Sequence, residues 1–197
     1  EQAAYLLNMA LVLCADHELN VSSFTARCVA SAGSDPYAVV GAGLAALQGG
    51  KHGGHTERVA ELLREVAVPE RAAETVRGRL RRGESLPGFG HPLYAEGDPR
   101  GKVLLTAVAA AFPHSPAIAL AQALMAAVRQ AVGQEPNIDV GLVVLAEALG
   151  LPPTAPLTLF AIGRTAGWLG HAIEQYQLDQ LIRPRASYVG PLPVGNG

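Results

Sequence analysis

Glycine and proline divide this chain into apolar segments of helical length, and this spacing constrains the fold more than any other feature. Runs rich in Ala and Leu predict helices over residues 3–15, 22–32, 36–48, 57–66, 69–82, 99–112, 116–132, 140–149 and 156–178. Glycines or prolines stand at most of the intervening breaks, where helices usually end. No segment of the sequence shows the period-two alternation of a strand. The predicted fold class is therefore all-α.

Composition narrows the class of protein further. Apolar residues make up 49% of the 197 residues and charged residues 16%, which favours closely packed helices. The net charge of −2, without a basic stripe, argues against nucleic acid as a direct partner of this segment. No apolar run reaches the ~18 residues of a membrane span, and no secretory signal is recognisable. Cys14 and Cys28 fall in apolar helices, which predicts free, buried thiols in a cytoplasmic protein.

Several helix starts can be predicted from their capping residues. Asp-Pro pairs at Asp35 and Asp98 place an N-cap directly before a proline suited to the first helical position. Ser22 or Ser23 would start the second helix. Thr56 would cap the helix over 57–66.

The segment from Pro87 to Arg100 combines a histidine loop with a helix start. His91 stands between glycine and proline, in a stretch that cannot be regular helix. Arg100 falls in the first turn of the following helix, where the helix dipole disfavours a cation unless an anion is bound nearby. The segment is consistent with an anion pocket beside a histidine, or with a plain surface turn.

Four further polar positions interrupt the apolar background. His17, within Asp16-His17-Glu18, is either functional or part of a helix-capping turn. His52, before a helix, is either a neutral hydrogen-bond donor or a solvent-exposed loop residue. Asp139 is either functional or a simple N-cap. Arg164 lies within an apolar helix and needs a partner, and that helix offers a carboxylate only ten residues on, at Glu174.

Other kinds of site find less support in the sequence. His17, His52, His55 and His91 are numerous enough to bind zinc, but cysteine pairs and the His-Glu-x-x-His pattern are absent. The Gly-x-Ser-x-Gly pattern of a serine nucleophile and the phosphate-binding loop are also absent. We therefore expect no metal site and no serine nucleophile.

Seven polar motifs are spread over nearly the whole chain. They are Ala15-Asp16-His17-Glu18-Leu19-Asn20-Val21-Ser22, His52-Gly53-Gly54, Gly88-Phe89-Gly90-His91, Asp98-Pro99-Arg100, Pro136-Asn137-Ile138-Asp139, Gly163-Arg164-Thr165-Ala166-Gly167-Trp168 and Ile182-Arg183-Pro184-Arg185. Taken together, these motifs resemble the C-terminal half of a citrate synthase, and in particular the bacterial citrate synthase-like proteins, because they occur in that family's order and at similar separations.

The resemblance implies a helical homodimer with a large and a small domain in each subunit. Residues 1–52 and 150–197 would belong to the large domain, and residues 53–149 would form a small domain that closes over substrate. Helices near 24–48 would pack between the subunits. Because the first half of the family's large domain is not in this chain, we expect weak or no turnover from these 197 residues alone.

The resemblance also implies an acyltransferase of the tricarboxylic acid cycle that condenses acetyl-CoA with oxaloacetate. Asp139 would remove a proton from the thioester methyl group, and a neutral His52 would stabilise the enolate. His91 would protonate the oxaloacetate carbonyl. No cofactor is implied, since the coenzyme A thioester is itself a substrate.

Oxaloacetate is a dianion, and the resemblance implies several cations that would bind it. Arg100 and Arg164 would come from the same subunit and Arg183 from the partner subunit. His17 would donate or accept a hydrogen bond with the substrate.

Two departures from the family pattern leave alternatives open. His55 and Thr56 replace the usual Ala-Asn after the histidine motif, and Pro92 and Ala95 fall where the family often has basic residues that bind the CoA phosphates. The acyl donor could therefore be propionyl-CoA, as in a 2-methylcitrate synthase. A citrate synthase-like domain that senses a metabolite without catalysis is the third hypothesis, although such a sensor would need no catalytic base.

Overall fold

Helices form nearly all the regular structure of the computed structural model, which describes residues 1–50, 52 and 55–191. Gly53 and Gly54 of the histidine motif, and the tail beyond 191, lie outside the described residues. A short 3-10 helix, Pro69–Arg71, interrupts the start of the helix predicted over 69–82. The α-helices of the described residues are α1 (Gln2–Cys14), α2 (Val21–Ser31), α3 (Pro36–Leu47), α4 (His55–Val66), α5 (Ala72–Arg81), α6 (Pro99–Ala111), α7 (Pro116–Val132), α8 (Ile138–Ala148) and α9 (Ala155–Leu178).

The all-α prediction is confirmed. Within the part of the chain that is described, extended pairing is limited to a single bridge between Phe89 and Pro136. None of the helices described is long and apolar enough to cross a bilayer.

Two helices start at the Asp-Pro pairs that the sequence indicates. The Asp35 side chain accepts hydrogen bonds from the backbone N–H groups of Tyr37 and Ala38, at 2.8 and 3.0 Å. Asp98 accepts from the N–H of Arg100 at 3.0 Å. These bonds satisfy N–H groups that the first turn of a helix leaves without partners. Both predicted caps are therefore confirmed.

One predicted helix start is off by a residue, and one predicted cap is wrong. Helix α2 begins at Val21, directly before Ser22, and its cap is Asn20, whose side chain accepts from the backbone N–H of both serines. Thr56 is not a cap because α4 begins one residue earlier, at His55, and the threonine side chain is buried in the first turn.

The larger hydrophobic core surrounds α8. Val140 and Leu142–Leu145 are fully or almost fully buried, and α4, α6, α7 and α9 all contact this helix. A helix that is apolar on every side is covered by its neighbours, so only its ends are available for polar chemistry. Asp139 lies at such an end, next to the first residue of α8.

A second, smaller core lies among α2, α3 and α9. Trp168 is completely buried there, packed with small and branched residues: Ala26, Ala30, Val39, Leu47 and Ala172. The same part of the molecule leaves Phe24 and Tyr37 exposed, and Tyr37 is 90% accessible. Packing of these helices between subunits, and the division into domains at residues 52 and 149, remain predictions.

Helix α1 packs closely against α9 through a glycine. A Cβ atom on Gly163 would lie 2.6 Å from the carbonyl oxygen of Leu11, and one on Gly167 would overlap the carbonyl of Ala15. Glycine is therefore required at both positions for this packing. The close approach places the loop after α1, which carries His17, beside the middle of α9.

The loop that carries His91 is held between α4 and α8. Gly88 has a positive φ of 86°, and a Cβ atom there would come within 2.6 Å of both Val59 on α4 and Val140 on α8. Its carbonyl oxygen accepts a hydrogen bond of 2.8 Å from the N–H of Asn137, just before α8. This loop is consequently fixed next to the N-terminus of the Asp139 helix.

Candidate active site

A cleft of about 660 Å³ lies where the loop after α1 meets α4, the His91 loop, α8 and α9. Residues from all these segments, far apart in the sequence, line it. Arg183 is the exception among the seven positions predicted as site residues: it is exposed in the segment without regular structure after α9, outside this cleft. The six that line the cleft are His17, His52, His91, Arg100, Asp139 and Arg164.

His91 has a defined tautomer in this arrangement. Its Nδ1 accepts a hydrogen bond of 3.1 Å from the backbone N–H of Leu93, so a neutral ring carries its proton on Nε2. Burial lowers the pKa of His91, although the nearby charge of Asp98 opposes that shift. The side chain is therefore a neutral donor through Nε2 near pH 7.

His17 and His91 are joined by an aromatic residue that the sequence did not point to. Nε2 of His17 lies 2.9 Å from the Tyr94 hydroxyl. The two imidazoles meet edge to face with centroids 5.2 Å apart, and the Tyr94 ring lies 4.8 Å from that of His91. Burial, together with the charge of Arg100, lowers the pKa of His17. No local signal could have paired His17 with a residue 77 positions away.

His52 is held by the buried hydroxyl of Ser22. Its Nε2 lies 2.9 Å from Ser22 Oγ, which accepts from Nε1 of Trp168 at 3.2 Å and donates to Oδ1 of Asn20 at 2.8 Å. Since the hydroxyl has one proton, it would have to turn away from Asn20 to donate to His52. The pKa of His52 is lowered mainly by burial and, to a smaller extent, by the charge of Arg164. A neutral ring is favoured, which agrees with the sequence-based expectation of a neutral imidazole.

Asp139 lies in the first turn of α8 but does not cap it. Asn137 is the N-cap and accepts from the backbone N–H of Asp139 at 3.0 Å, so the hypothesis that Asp139 is a simple N-cap is wrong. Burial raises the pKa of Asp139 from 3.8 to about 6, against the lowering effects of His55 and Arg100. A carboxyl with such a pKa can accept a proton and release it near neutral pH.

Arg100 is paired with its own N-cap. Its Nε and Nη2 donate to the two carboxylate oxygens of Asp98 at 2.9 and 2.8 Å. Burial raises the pKa of Asp98, but the hydrogen bonds and charge of Arg100 lower it by more. The negative charge of Asp98 therefore offsets the unfavourable interaction between the Arg100 cation and the positive N-terminal end of α6.

Arg164 uses a backbone carbonyl where the sequence suggested a carboxylate. Its Nε donates to the carbonyl oxygen of Cys14 at 2.8 Å, and its guanidinium lies over the Phe160 ring at 4.8 Å from the centroid. Glu174 instead pairs with Arg27 at 2.9 Å. Arg164 is 2% exposed, so this cation is held within the protein at the floor of the cleft.

Further polar residues line the cleft without having been singled out as site residues, and two of them carry basic side chains on α4. His55 and Arg58 lie on the first two turns of α4, and Nη2 of Arg58 donates to the Gly50 carbonyl oxygen at 3.1 Å. The sequence indicates His55 only as a departure from the family motif and as a candidate zinc ligand. Among the described residues, no three His, Cys, Asp or Glu side chains are grouped so as to hold a metal ion.

The cleft combines three kinds of chemical group. Asp139 can accept a proton, and His52 and His91 can donate hydrogen bonds while uncharged. Arg100 and Arg164 can bind an anionic substrate. A base beside neutral donors and cations suits proton abstraction next to a carbonyl group, with stabilisation of the negative charge that forms on its oxygen.

Comparison with known proteins identifies relatives along nearly the whole chain. Residues 1–185 match the family model described as citrate synthase, C-terminal domain. Citrate synthase 2 of Bacillus subtilis is 38% identical over 188 residues, which are 93% of this chain and 50% of that protein. 2-Methylcitrate synthase 2 of Corynebacterium glutamicum is 34% identical over 183 residues, 91% of this chain and 48% of that protein.

A solved structure of a citrate synthase is also similar to this chain. The citrate synthase of Thermoplasma acidophilum, determined as a ternary complex with carboxymethyl coenzyme A and oxaloacetate, aligns with a TM-score of 0.84 and 31% identity. The alignment covers 100% of this chain and 55% of that one. The chain thus spans about half the length of the curated relatives it matches.

Proposed function

Because this chain belongs to the citrate synthase family, we propose that it carries the catalytic residues of an enzyme that condenses acetyl-CoA with oxaloacetate to citrate and CoA. The observation that supports this most is the cleft itself. It brings Asp139, His52 and His91 together from three separate segments, with Arg100 and Arg164 beside them. Each of these groups has a task in that condensation.

In the first step, Asp139 would take a proton from the methyl group of the thioester. A carbon acid is far weaker than a carboxylic acid, so the developing enolate oxygen needs a hydrogen-bond donor. His52 would supply it. In this role the Ser22 hydroxyl would turn from Asn20 and donate to Nε2 of His52, so that the neutral ring would carry its proton on Nδ1 and donate from there. The raised pKa of Asp139 makes it a stronger base than an ordinary carboxylate.

In the second step, the enolate carbon would attack the ketone carbon of oxaloacetate. As the carbon–carbon bond forms, the ketone oxygen would gain a negative charge and take the Nε2 proton of His91 as the hydroxyl proton of the product. The proton that Asp139 took up in the first step would return to the deprotonated imidazole through solvent. The tautomer of His91 set by Leu93 has its proton on that nitrogen. Water would then hydrolyse the citryl thioester, and CoA would leave as the thiol.

Oxaloacetate carries two carboxylates, so the cleft must supply positive charge. Arg164 is the stronger attractor because the charge of Arg100 is offset by Asp98. Arg100 would act mainly through directed hydrogen bonds. We further propose that the working form is a homodimer in which Arg183 of a second copy completes the site, and that His17 bonds the substrate. The ligands of the Thermoplasma acidophilum complex support this choice of substrates.

The second candidate is the same reaction with propionyl-CoA, which would give 2-methylcitrate. The Corynebacterium glutamicum relative favours it, because its identity to this chain is close to that of the citrate synthases. The two reactions share every proposed catalytic step and differ only in the space for one methyl group on the acyl chain.

The test is release of CoA thiol by the complete gene product, with oxaloacetate and either acetyl-CoA or propionyl-CoA. We expect turnover with at least one donor, and the larger kcat/KM identifies the acyl donor. Asp139→Asn and His91→Gln should each lower kcat by about 100-fold or more. His114→Gln is the matched control, since His114 is a loop histidine exposed outside the cleft. Absence of thiol release with both donors would contradict the proposal and leave a metabolite-sensing domain as the surviving hypothesis.

A further inference from the structure

One buried carboxylate, that of Asp98, joins two helices of the cleft. Its Oδ1 accepts from the backbone N–H and the Nε of Arg100, at 3.0 and 2.9 Å. Its Oδ2 accepts from Nη2 of Arg100 at 2.8 Å and from the backbone N–H of Ile138 at 3.0 Å. The Asp98 side chain is completely buried, and it is not among the residues that line the cleft.

The bond to Ile138 is unusual for an N-cap. Ile138 is the first residue of α8, and its N–H is one of those that a helix leaves without an intrahelical partner. Asn137 accepts from the next N–H, that of Asp139. Asp98 therefore caps α6 locally and α8 across 40 residues of sequence, and the two helices carry Arg100 and Asp139 in their first turns.

The two helix starts also touch through the backbone. A Cβ atom on Gly101 would lie 2.6 Å from the carbonyl carbon and oxygen of Asn137. With no side chain between them, the first turns of α6 and α8 are in direct contact. Small movements of one helix start would therefore displace the other, and Asp98 supplies the hydrogen bonds that hold them together.

We infer that Asp98 is a positioning residue that fixes the guanidinium of Arg100 and the first turn of the Asp139 helix relative to each other without touching substrate. This inference rests on the proposed function, because it assigns Asp98 a part in the same site. A bidentate Arg–carboxylate pair has a defined geometry, and a single backbone bond to the same carboxylate transfers that geometry to α8.

Asp98 also sets the local charge. Its negative charge offsets that of Arg100, and it raises the pKa of Asp139 and of His91. In Asp98→Asn, Arg100 would be left without its counter-charge, and the amide NH₂ would face N–H donors in place of an acceptor. The pKa values of Asp139 and His91 should therefore both fall. A residue that merely stabilised the fold would change neither value.

The experiment compares Asp98→Asn and Asp98→Glu with Asp35→Asn in the complete gene product. Asp35 is the matched control: it caps α3 before a proline in the same way, but lies outside the cleft. For Asp98→Asn we expect the KM for oxaloacetate to rise about 10- to 100-fold and kcat to fall, because misplaced catalytic groups cost about that much. The acid limb of kcat should move to lower pH. Asp98→Glu keeps the charge, so it should raise KM while the acid limb stays near that of the wild type.

An NMR titration of the His91 imidazole provides a readout that needs no turnover. The inference predicts a lower His91 pKa in Asp98→Asn and an unchanged value in Asp35→Asn. If neither the His91 titration nor KM for oxaloacetate differs between the two Asn variants, Asp98 is only a cap and the inference is wrong. If Asp98→Asn does not fold, Asp98→Glu decides, since wild-type kinetics in that variant would overturn the inference. If the wild-type protein releases no thiol but the His91 pKa falls in Asp98→Asn and not in Asp35→Asn, only the proposed function is overturned.

Discussion

The indole ring of Trp168 lies directly on Gly43. A Cβ atom built on Gly43 would come within 2.6 Å of Cδ2 of the ring and 2.8 Å of Cε2. Trp168 is fully buried and donates its indole N–H to Ser22, the residue that contacts His52. The smaller core is thus connected, through one tryptophan, to a histidine of the cleft.

Gly43→Ala should destabilise the protein. The added methyl group would overlap the indole, and overpacking of this kind costs about 1–3 kcal/mol, more than the ~1 kcal/mol that alanine contributes within a helix. Gly41→Ala is the matched control in the same helix, because nothing lies within 4 Å of its Cβ position. Urea unfolding measures both. A Gly43→Ala variant as stable as Gly41→Ala would contradict this packing.

Asp139→Asn should stabilise the fold at neutral pH. The folded pKa of about 6 exceeds the ordinary 3.8, so between these pH values the native state binds more protons than the unfolded state. The free energy of unfolding of the wild type therefore falls as pH rises through this window. We expect Asp139→Asn to be more stable by about 1–3 kcal/mol at pH 7.5, a partly exposed group giving less than the full linkage value. The difference should disappear below about pH 4. A difference independent of pH would show that the carboxyl is not destabilised by burial.

Ser22→Ala should lower kcat more than Ser23→Ala does. Both serines are buried next to Asn20, but only Ser22 contacts His52. Loss of one orienting hydrogen bond of ordinary strength corresponds to about 10-fold in kcat. Equal kinetics in the two variants would mean that Ser22 does not orient the imidazole. Stability is expected to fall in both, more so in Ser22→Ala because the Trp168 N–H loses its acceptor.

Ala95→Lys should strengthen binding of the acyl-CoA. Ala95 is exposed in the loop whose preceding residues Pro92 and Leu93 line the cleft, and it lacks the basic side chain often found there in the family. An exposed lysine near the CoA phosphates should lower the KM for the thioester about 2- to 5-fold, with loss of the effect at high salt. Ala95→Gln introduces a neutral side chain of similar length and should leave the KM for the thioester unchanged. The KM for oxaloacetate should be unchanged in both variants. Equal KM values for Ala95→Lys and Ala95→Gln at low salt would show that the phosphates bind elsewhere.

The helix bounds could be predicted to within two residues, except at the start of α5, because the signals for helix ends are local. Asp35 and Asp98 each cap a helix that the following proline starts, and such caps depend on three consecutive residues. The sequence did not show which of several neighbouring polar residues is the N-cap. Asn20 precedes two serines and Asn137 precedes Asp139, and in both cases the first polar residue is the N-cap.

The order of the motifs along the chain was enough to predict the site residues. It did not predict the residues with which they form hydrogen bonds. Tyr94 bonds His17 across 77 residues, and Asp98 bonds Ile138 across 40. Such pairs depend on how helices pack, and no periodicity or capping pattern records them. Arg164 illustrates the same limit. Its helix offered Glu174, which is ~15 Å further along the axis, whereas the acceptor in the structure is the carbonyl of Cys14.

The anchoring of Arg164 has a consequence for how the cleft meets its substrate. Ordering the side chain of a free arginine costs about 2 kcal/mol of rotamer entropy. Without prior ordering, this cost would reduce the free energy of binding an anion. Here the carbonyl at the end of α1 and the face of Phe160 already restrict the side chain. Folding has thus ordered the guanidinium in advance, so a dianion entering the cleft meets a receptor that is preorganised on this side and loses less affinity to induced order.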